Sequence, residues 1–166
     1  MPGNYTPIPM LVGSPAIHEH YLPNSGILAS MDQPFGFREL RHTADWEIEV
    51  WAPSLPRLFE QAAVGMYALS GAGLYPEPRL TRTLDLEAGD AESLLIKFLN
   101  ELLFQGEQYG LAFDVFNLEI DACRLRAELH GAPMTEPSKE IKAVTYHNLA
   151  IQSGARGLEV RIVFDV

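Results

Sequence analysis

The residues best placed to do chemistry are Asp165, the last residue Val166, and Asp45. In the closing run Leu158, Val160, Ile162, Phe164 and Val166 share one face of a strand, so Asp165 points away from the apolar side. With Val166 as the final residue, its α-carboxylate and the Asp165 side chain bring two anions into a small volume. Unpaired, they repel and one pKa rises. A hard divalent cation, which takes oxygen ligands, resolves that conflict. Asp45 closes the segment Arg41-His42-Thr43-Ala44-Asp45, which leads straight into a predicted strand. On a strand beside the last one it adds a third oxygen ligand, with water filling the rest. The plainer reading is a solvated Asp165 and an Asp45 that accepts backbone N–H bonds in a turn. Residue types and spacing leave both readings open.

Other chemistries lack their residues. There is no glycine-rich phosphate loop, no HExxH and no paired CxxC. Gly71-Ala72-Gly73 lacks a third glycine and the strand–turn–helix setting, so it reads as a helix stop. No nucleophile elbow surrounds any serine. The single cysteine, Cys123, falls on the apolar side of a predicted strand, which indicates a buried structural thiol in place of a nucleophile. One cysteine also excludes an internal disulfide framework and a multi-thiolate metal site. His18-Glu19-His20 has a spacing that a metal could use, but in its setting a solvated loop is the better account.

The chain that must position these residues has 166 residues, enough for one domain, and 47% are hydrophobic, enough for a substantial core. No apolar run approaches the roughly 20 residues that span a bilayer, and no basic, apolar leader opens the sequence. A soluble, cytoplasmic protein with no membrane association is expected. The net charge of −10 argues against unaided, tight binding to nucleic acid, which relies on Lys and Arg neutralising phosphates. Residues 1–35 stand apart, with six of the twelve prolines and no Lys or Arg, and read as an irregular N-terminal arm. Residues 36–166 read as the folded domain.

Within that domain, Trp46, Ile48 and Val50 alternate with Glu47 and Glu49, the pattern of a half-buried strand. Ser54 and Pro56 then open a helix whose buried stripe is Leu55, Leu58, Phe59, Ala62, Ala63, Met66 and Leu69, ended by Gly71. A strand follows with Leu80, Leu84 and Leu86 on one face. Asp90 caps a second helix carrying Leu94, Leu95, Phe98, Leu99, Leu102 and Leu103, with Gly106 just past its end. Phe116, Leu118 and Ile120 form a strand that turns at Asp121-Ala122 into a partner carrying Cys123, Leu125, Ala127 and Leu129. Residues 141–151 and 158–166 make a final pair joined through Gly154 and Gly157. The regular strand at 141–151 places Tyr146 beside Lys142, with His147 hydrogen-bonded to backbone. The fold class is α+β, a compact single domain with two helices on a mixed or antiparallel sheet of about six strands.

Three of these segments together resemble the archease family. The first is His42-Thr43-Ala44-Asp45 entering a strand, followed by a helix reading Leu-Phe-Glu-Gln-Ala-Ala. The second is Ile141-Lys142-Ala143-Val144-Thr145-Tyr146-His147, and the third is the closing Val163-Phe164-Asp165-Val166. They occur in the family's order and at its distances, and the likeness spans residues 37–166. The resemblance implies an accessory, non-catalytic protein of the 3′-phosphate RNA ligase that splices tRNA halves. That ligase uses GTP and manganese and guanylylates its own histidine; an archease promotes this step and lets the ligase turn over repeatedly. The protein would meet RNA only through the ligase.

The resemblance also assigns residues. Asp45, Asp165 and the terminal Val166 would hold a divalent cation, calcium in family members, with magnesium or manganese as functional candidates. Lys142 would meet a phosphate or a partner carboxylate, and His42 would orient the turn that aims Asp45. The chain departs from the family in its Pro-rich arm, in Ala52-Pro53-Ser54-Leu55-Pro56 where Gly and Lys often stand, and in the bulk of Trp46 beside the expected ligand. Two other classes compete: a metal-dependent phosphohydrolase or phosphotransferase using the two aspartates directly, and a chaperone-like protein-binding module.

Overall fold

The computed structural model of the protein describes residues 33–40 and 46–166. Its elements, in chain order, are β1 (Gly36–Leu40), β2 (Trp46–Ala52), α1 (Leu55–Ser70), β3 (Leu80–Glu87), α2 (Ala91–Tyr109), β4 (Leu111–Asp121), β5 (Arg124–Pro133), β6 (Ala143–Thr145), β7 (Gln152–Gly154) and β8 (Gly157–Asp165). They form two sheets. One runs β1-β2-β8-β6, with β7 also on β8; the other runs β3-β5-β4. Every pairing is antiparallel.

β8 is the strand on which the first sheet depends. Trp46 to Ala52 of β2 pair along one edge, from Phe164 to Leu158, and β6 and β7 share the other edge. Its inward residues Val160, Ile162 and Phe164 join Ile48 and Val50 in the core, all essentially buried. Both helices dock on this core. Phe59 of α1 stacks on Phe98 of α2 with ring centroids 5.9 Å apart, and Phe98 meets Phe116 of β4 edge-on at 6.4 Å. That chain of rings ties the two helices to the second sheet.

The caps explain where the helices begin and end. Asp90 accepts a hydrogen bond from the Ser93 main-chain N–H at 2.7 Å and satisfies one of the orphan donors at the start of α2. Ser54 precedes α1 in extended conformation without a side-chain cap bond, and proline occupies the first turn. Gly71 (φ 68°) and Gly110 (φ 63°) close the helices in the left-handed region that favours glycine.

Several sequence expectations are corrected. α2 does not stop at Gly106 but runs to Tyr109. The left-handed cap falls at Gly110 instead, whose N–H bonds back to the Gly106 carbonyl. Cys123 lies in the turn between β4 and β5 and is only half-buried; its Sγ contacts the Gly89 carbonyl oxygen at 3.6 Å. Residues 141–151 are not one strand: β6 and β7 are separated by a turn in which Asn148 has φ 51°. Tyr146 is therefore 62% exposed and not part of a pleat with Lys142. The His147 ring pairs with the Asn148 side chain at 3.0 Å, not with backbone. The single sheet becomes two, and β1 is an additional edge strand.

Two outcomes test this packing. Phe98→Ala should cost about 3–5 kcal/mol in urea unfolding, because it removes the ring that joins both helices to the second sheet. Hydrogen bonds from Ser93 hold the Asp90 carboxyl below the usual carboxylate range. A depressed folded pKa means its stabilisation is complete above the unfolded pKa and is lost as pH falls through the folded one. Asp90→Asn should therefore be less stable than wild type at neutral pH, and the gap should close in acid.

Candidate functional site

The end of β8 gathers the described residues that the sequence singles out. Phe164 lies between Trp46 of β2 and Val144 of β6, which fixes the register of all three strands there. Asp165 pairs with Ala143, one pleat further on, and so turns its carboxylate to the opposite, solvent-exposed side. Lys142 clips this strand end twice. Its main-chain N–H donates to the Asp165 carbonyl at 2.9 Å, and its ammonium donates to the main-chain oxygen of Val166 at 3.1 Å. The side chain the resemblance marks as functional thus already places positive charge on one of the three expected ligand oxygens.

The loop that delivers Lys142 is anchored on the C-terminal end of α1. The Ser138 hydroxyl and the Lys139 N–H both donate to the Ser70 carbonyl, at 2.9 and 3.2 Å. That carbonyl would otherwise be an orphan of the last helical turn. Lys139 then reaches over Trp46, its ammonium 3.8 Å from the ring centroid. On the far side of β6, the Asn100 side chain of α2 accepts from the Val144 N–H at 3.1 Å. The bulk of Trp46 is therefore spent on packing and on a lysine, a contact that single-sequence periodicity does not reveal.

Asp45 and His42, and with them residues 1–32 of the arm, including His18-Glu19-His20, lie outside the described residues. Among the described residues, no group of three or more His, Cys, Asp or Glu could hold a metal. The described donors at the site, the Asp165 carboxylate and the Val166 oxygen, are the hard oxygen type that a divalent cation of the calcium or magnesium class takes.

Sequence reasoning missed a second charged cluster. Glu49 follows the outward phase of β2, yet it is only 6% exposed. Its neighbours at the same register are Arg38 on β1 and Arg161 on β8, and Arg38 Nη2 lies 2.7 Å from its Oε2. An outward position on a central strand is flanked on both sides, so long arginines cover it. The alternation alone cannot distinguish this from a solvated glutamate.

Two antiparallel sheets tied together by two helices define a small α+β domain. Residues 37–166 match the model of the archease protein family (MTH1598/TM1083). A protein archease of Thermococcus gammatolerans is 34% identical over 119 residues, covering 67% of this chain and 84% of that protein. A protein archease-like of Drosophila melanogaster is 33% identical over 141 residues, covering 78% and 90%. The solution structure of protein 1598 from Methanobacterium thermoautotrophicum superposes with a TM-score of 0.60 at 26% identity, covering 79% of this chain and 99% of that one. The crystal structure of an archease, possible chaperone, from Thermotoga maritima shares the fold with a TM-score of 0.58, covering 78% and 96% at 24% identity. The chain belongs to the archease family. Among the described residues, no helix is long and apolar enough to cross a membrane.

The clip at the strand end has a measurable consequence. Lys142→Ala keeps the main-chain bond to Asp165 but loses the ammonium contact, a hydrogen bond worth about 1 kcal/mol or less at an exposed position. Amide exchange should quicken over residues 163–166, while the melting temperature changes little.

Proposed function

We propose that this chain is an accessory protein of a GTP- and manganese-dependent 3′-phosphate tRNA-splicing RNA ligase, promoting guanylylation of the ligase and its repeated turnover. Asp45, Asp165 and Val166 hold a divalent cation in this reading, and RNA is met only through the ligase. Family membership supports the assignment. The observation that carries the site is the register of Trp46 opposite Phe164: the residues next along each chain are Asp45 and Asp165. In this reading, two carboxylates from distant parts of the sequence meet at one strand pair.

A bound cation of this kind supplies positive charge and oxygen coordination where a polyphosphate must be held against a histidine. The chain's own residues do the rest. Asp165 projects its carboxylate from a strand end that Lys142 pins at the Asp165 carbonyl. The Lys142 ammonium steadies the Val166 oxygen and supplies charge to a partner's phosphate or carboxylate. Trp46, held under Lys139, fixes the start of β2. The charge of −10 favours encounter with a basic RNA-enzyme surface, where complementarity mainly raises the association rate.

A multiple-turnover ligation assay with the cognate ligase tests the reading. Wild-type protein should raise turnover, and Asp45→Ala and Asp165→Ala should lose most of that stimulation while keeping their circular dichroism spectra. Full stimulation by both variants would reject the cation mechanism. Suppression of aggregation that persists in chelator, without any effect on ligation, would favour a chaperone role, the possibility named for the Thermotoga maritima archease.

A further inference from the structure

The Glu49 cluster lies on the outer face of the five-stranded sheet and plays no part in the cation reading. Three guanidiniums converge on its single carboxylate: Arg38 Nη2 at 2.7 Å, Arg156 Nη2 at 3.3 Å and Arg161 Nε at 3.5 Å. Arg156 arrives from the turn between β7 and β8. It also donates through Nε to Glu159 at 3.1 Å and lies over the Trp51 ring, 4.2 Å from its centroid.

Donors exceed acceptors here. Each guanidinium brings about five N–H groups, and burying one carboxylate requires only one such partner. Arg38 Nε and Arg156 Nη1 are shielded from water and have no hydrogen-bond partner among the described residues. The Arg161 side chain touches Glu49 only at the limit of hydrogen bonding and is 61% exposed. Glu49 sits beneath at 8% side-chain exposure and Arg161 is the most exposed side chain of the cluster, on a chain of net charge −10. A fully internal ion pair would leave neither the surplus donors nor the exposed Arg161.

We infer that Arg38, Arg156 and Arg161 form an oxyanion site that takes a phosphate group, with Glu49 as the buried anion that holds the guanidiniums in convergence. Planar N–H forks from separate arginines match the several oxygens of a phosphate, whereas the two oxygens of Glu49 hold Arg161 only at 3.5 Å and leave its fork largely free for another oxyanion. Arg161 lies four residues from Asp165 on the same face of β8, about 13 Å away. The site stands without the cation reading, since Asp165 and Lys142 take no part in it.

Titration of inorganic phosphate into the full-length, isotope-labelled protein at low ionic strength tests the inference. The Arg161 side-chain Nε–H and the amides of Glu49 and Arg161 should shift together and saturate in the millimolar range, and acetate should shift them far less. Arg161→Gln should weaken the response by about tenfold, as the loss of one charge-assisted fork. Arg124→Gln, on the other sheet, should leave it unchanged. A short single-stranded RNA binding more tightly than phosphate would identify a nucleic-acid strand as the source of the group; equal affinity would identify free phosphate. No saturable shift at these residues, an equal response to acetate, or equal losses in the two arginine variants would overturn the site. Asp165→Ala should retain phosphate binding whether or not it retains ligase stimulation, so the two readings fail separately.

Discussion

Pairing of β8 along both of its edges is the constraint from which the functional surfaces follow. A strand hydrogen-bonded to β2 on one side and to β6 and β7 on the other cannot slip by one residue without turning Val160, Ile162 and Phe164 out of the core. The same lock sends Glu159, Arg161, Val163 and Asp165 to the outer face. Apolar burial on one side of the strand thereby sets the spacing of charges on the other. The helices enforce it from within, since α1 packs across β1, β2 and β8 while α2 braces β6.

The charged contacts differ in weight because their solvent exposure differs. Arg124 and Asp85 form a two-pronged pair on the second sheet, but both side chains are about half exposed, so water screens much of the attraction. Glu49 is different. Its carboxylate is almost sealed from solvent, and losing its arginines would leave a buried, unpaired charge, a far costlier state. The helix ends follow the same logic with backbone groups: Asp90 satisfies a donor, and Ser138 and Lys139 satisfy the Ser70 carbonyl. That last anchor couples the end of α1 to the loop carrying Lys142.

Much of this was legible from residue order. The apolar stripes of α1 and α2, the Asp90 cap, the Gly71 stop and the outward direction of Asp165 follow from periodicity and cap chemistry, and the structure shows them all. What periodicity could not show arises from tertiary choices. Gly106 carries the mark of a helix stop, but the left-handed turn is taken at Gly110, so the helix continues to Tyr109. Residues 141–151 alternate well enough for a strand, yet a left-handed Asn148 divides them. Glu49 reads as solvated because one strand cannot announce that arginines from two neighbours will close over it. Asp45 is legible only as a residue next to Trp46, and the role proposed for it rests on family likeness and on the register of its neighbour.

The chain's two tryptophans each lie against a cation, and each marks a different region. Trp46 sits under Lys139 at the end of β2 that faces Phe164. Trp51 sits under Arg156, fully buried, with its indole N–H donating to the Gln33 carbonyl at 3.0 Å. Their environments differ in polarity, so their emission maxima should separate. Replacing either with phenylalanine leaves a single tryptophan, which can be excited selectively over the six tyrosines, and the protein carries an optical gauge for each end of the sheet without any added dye.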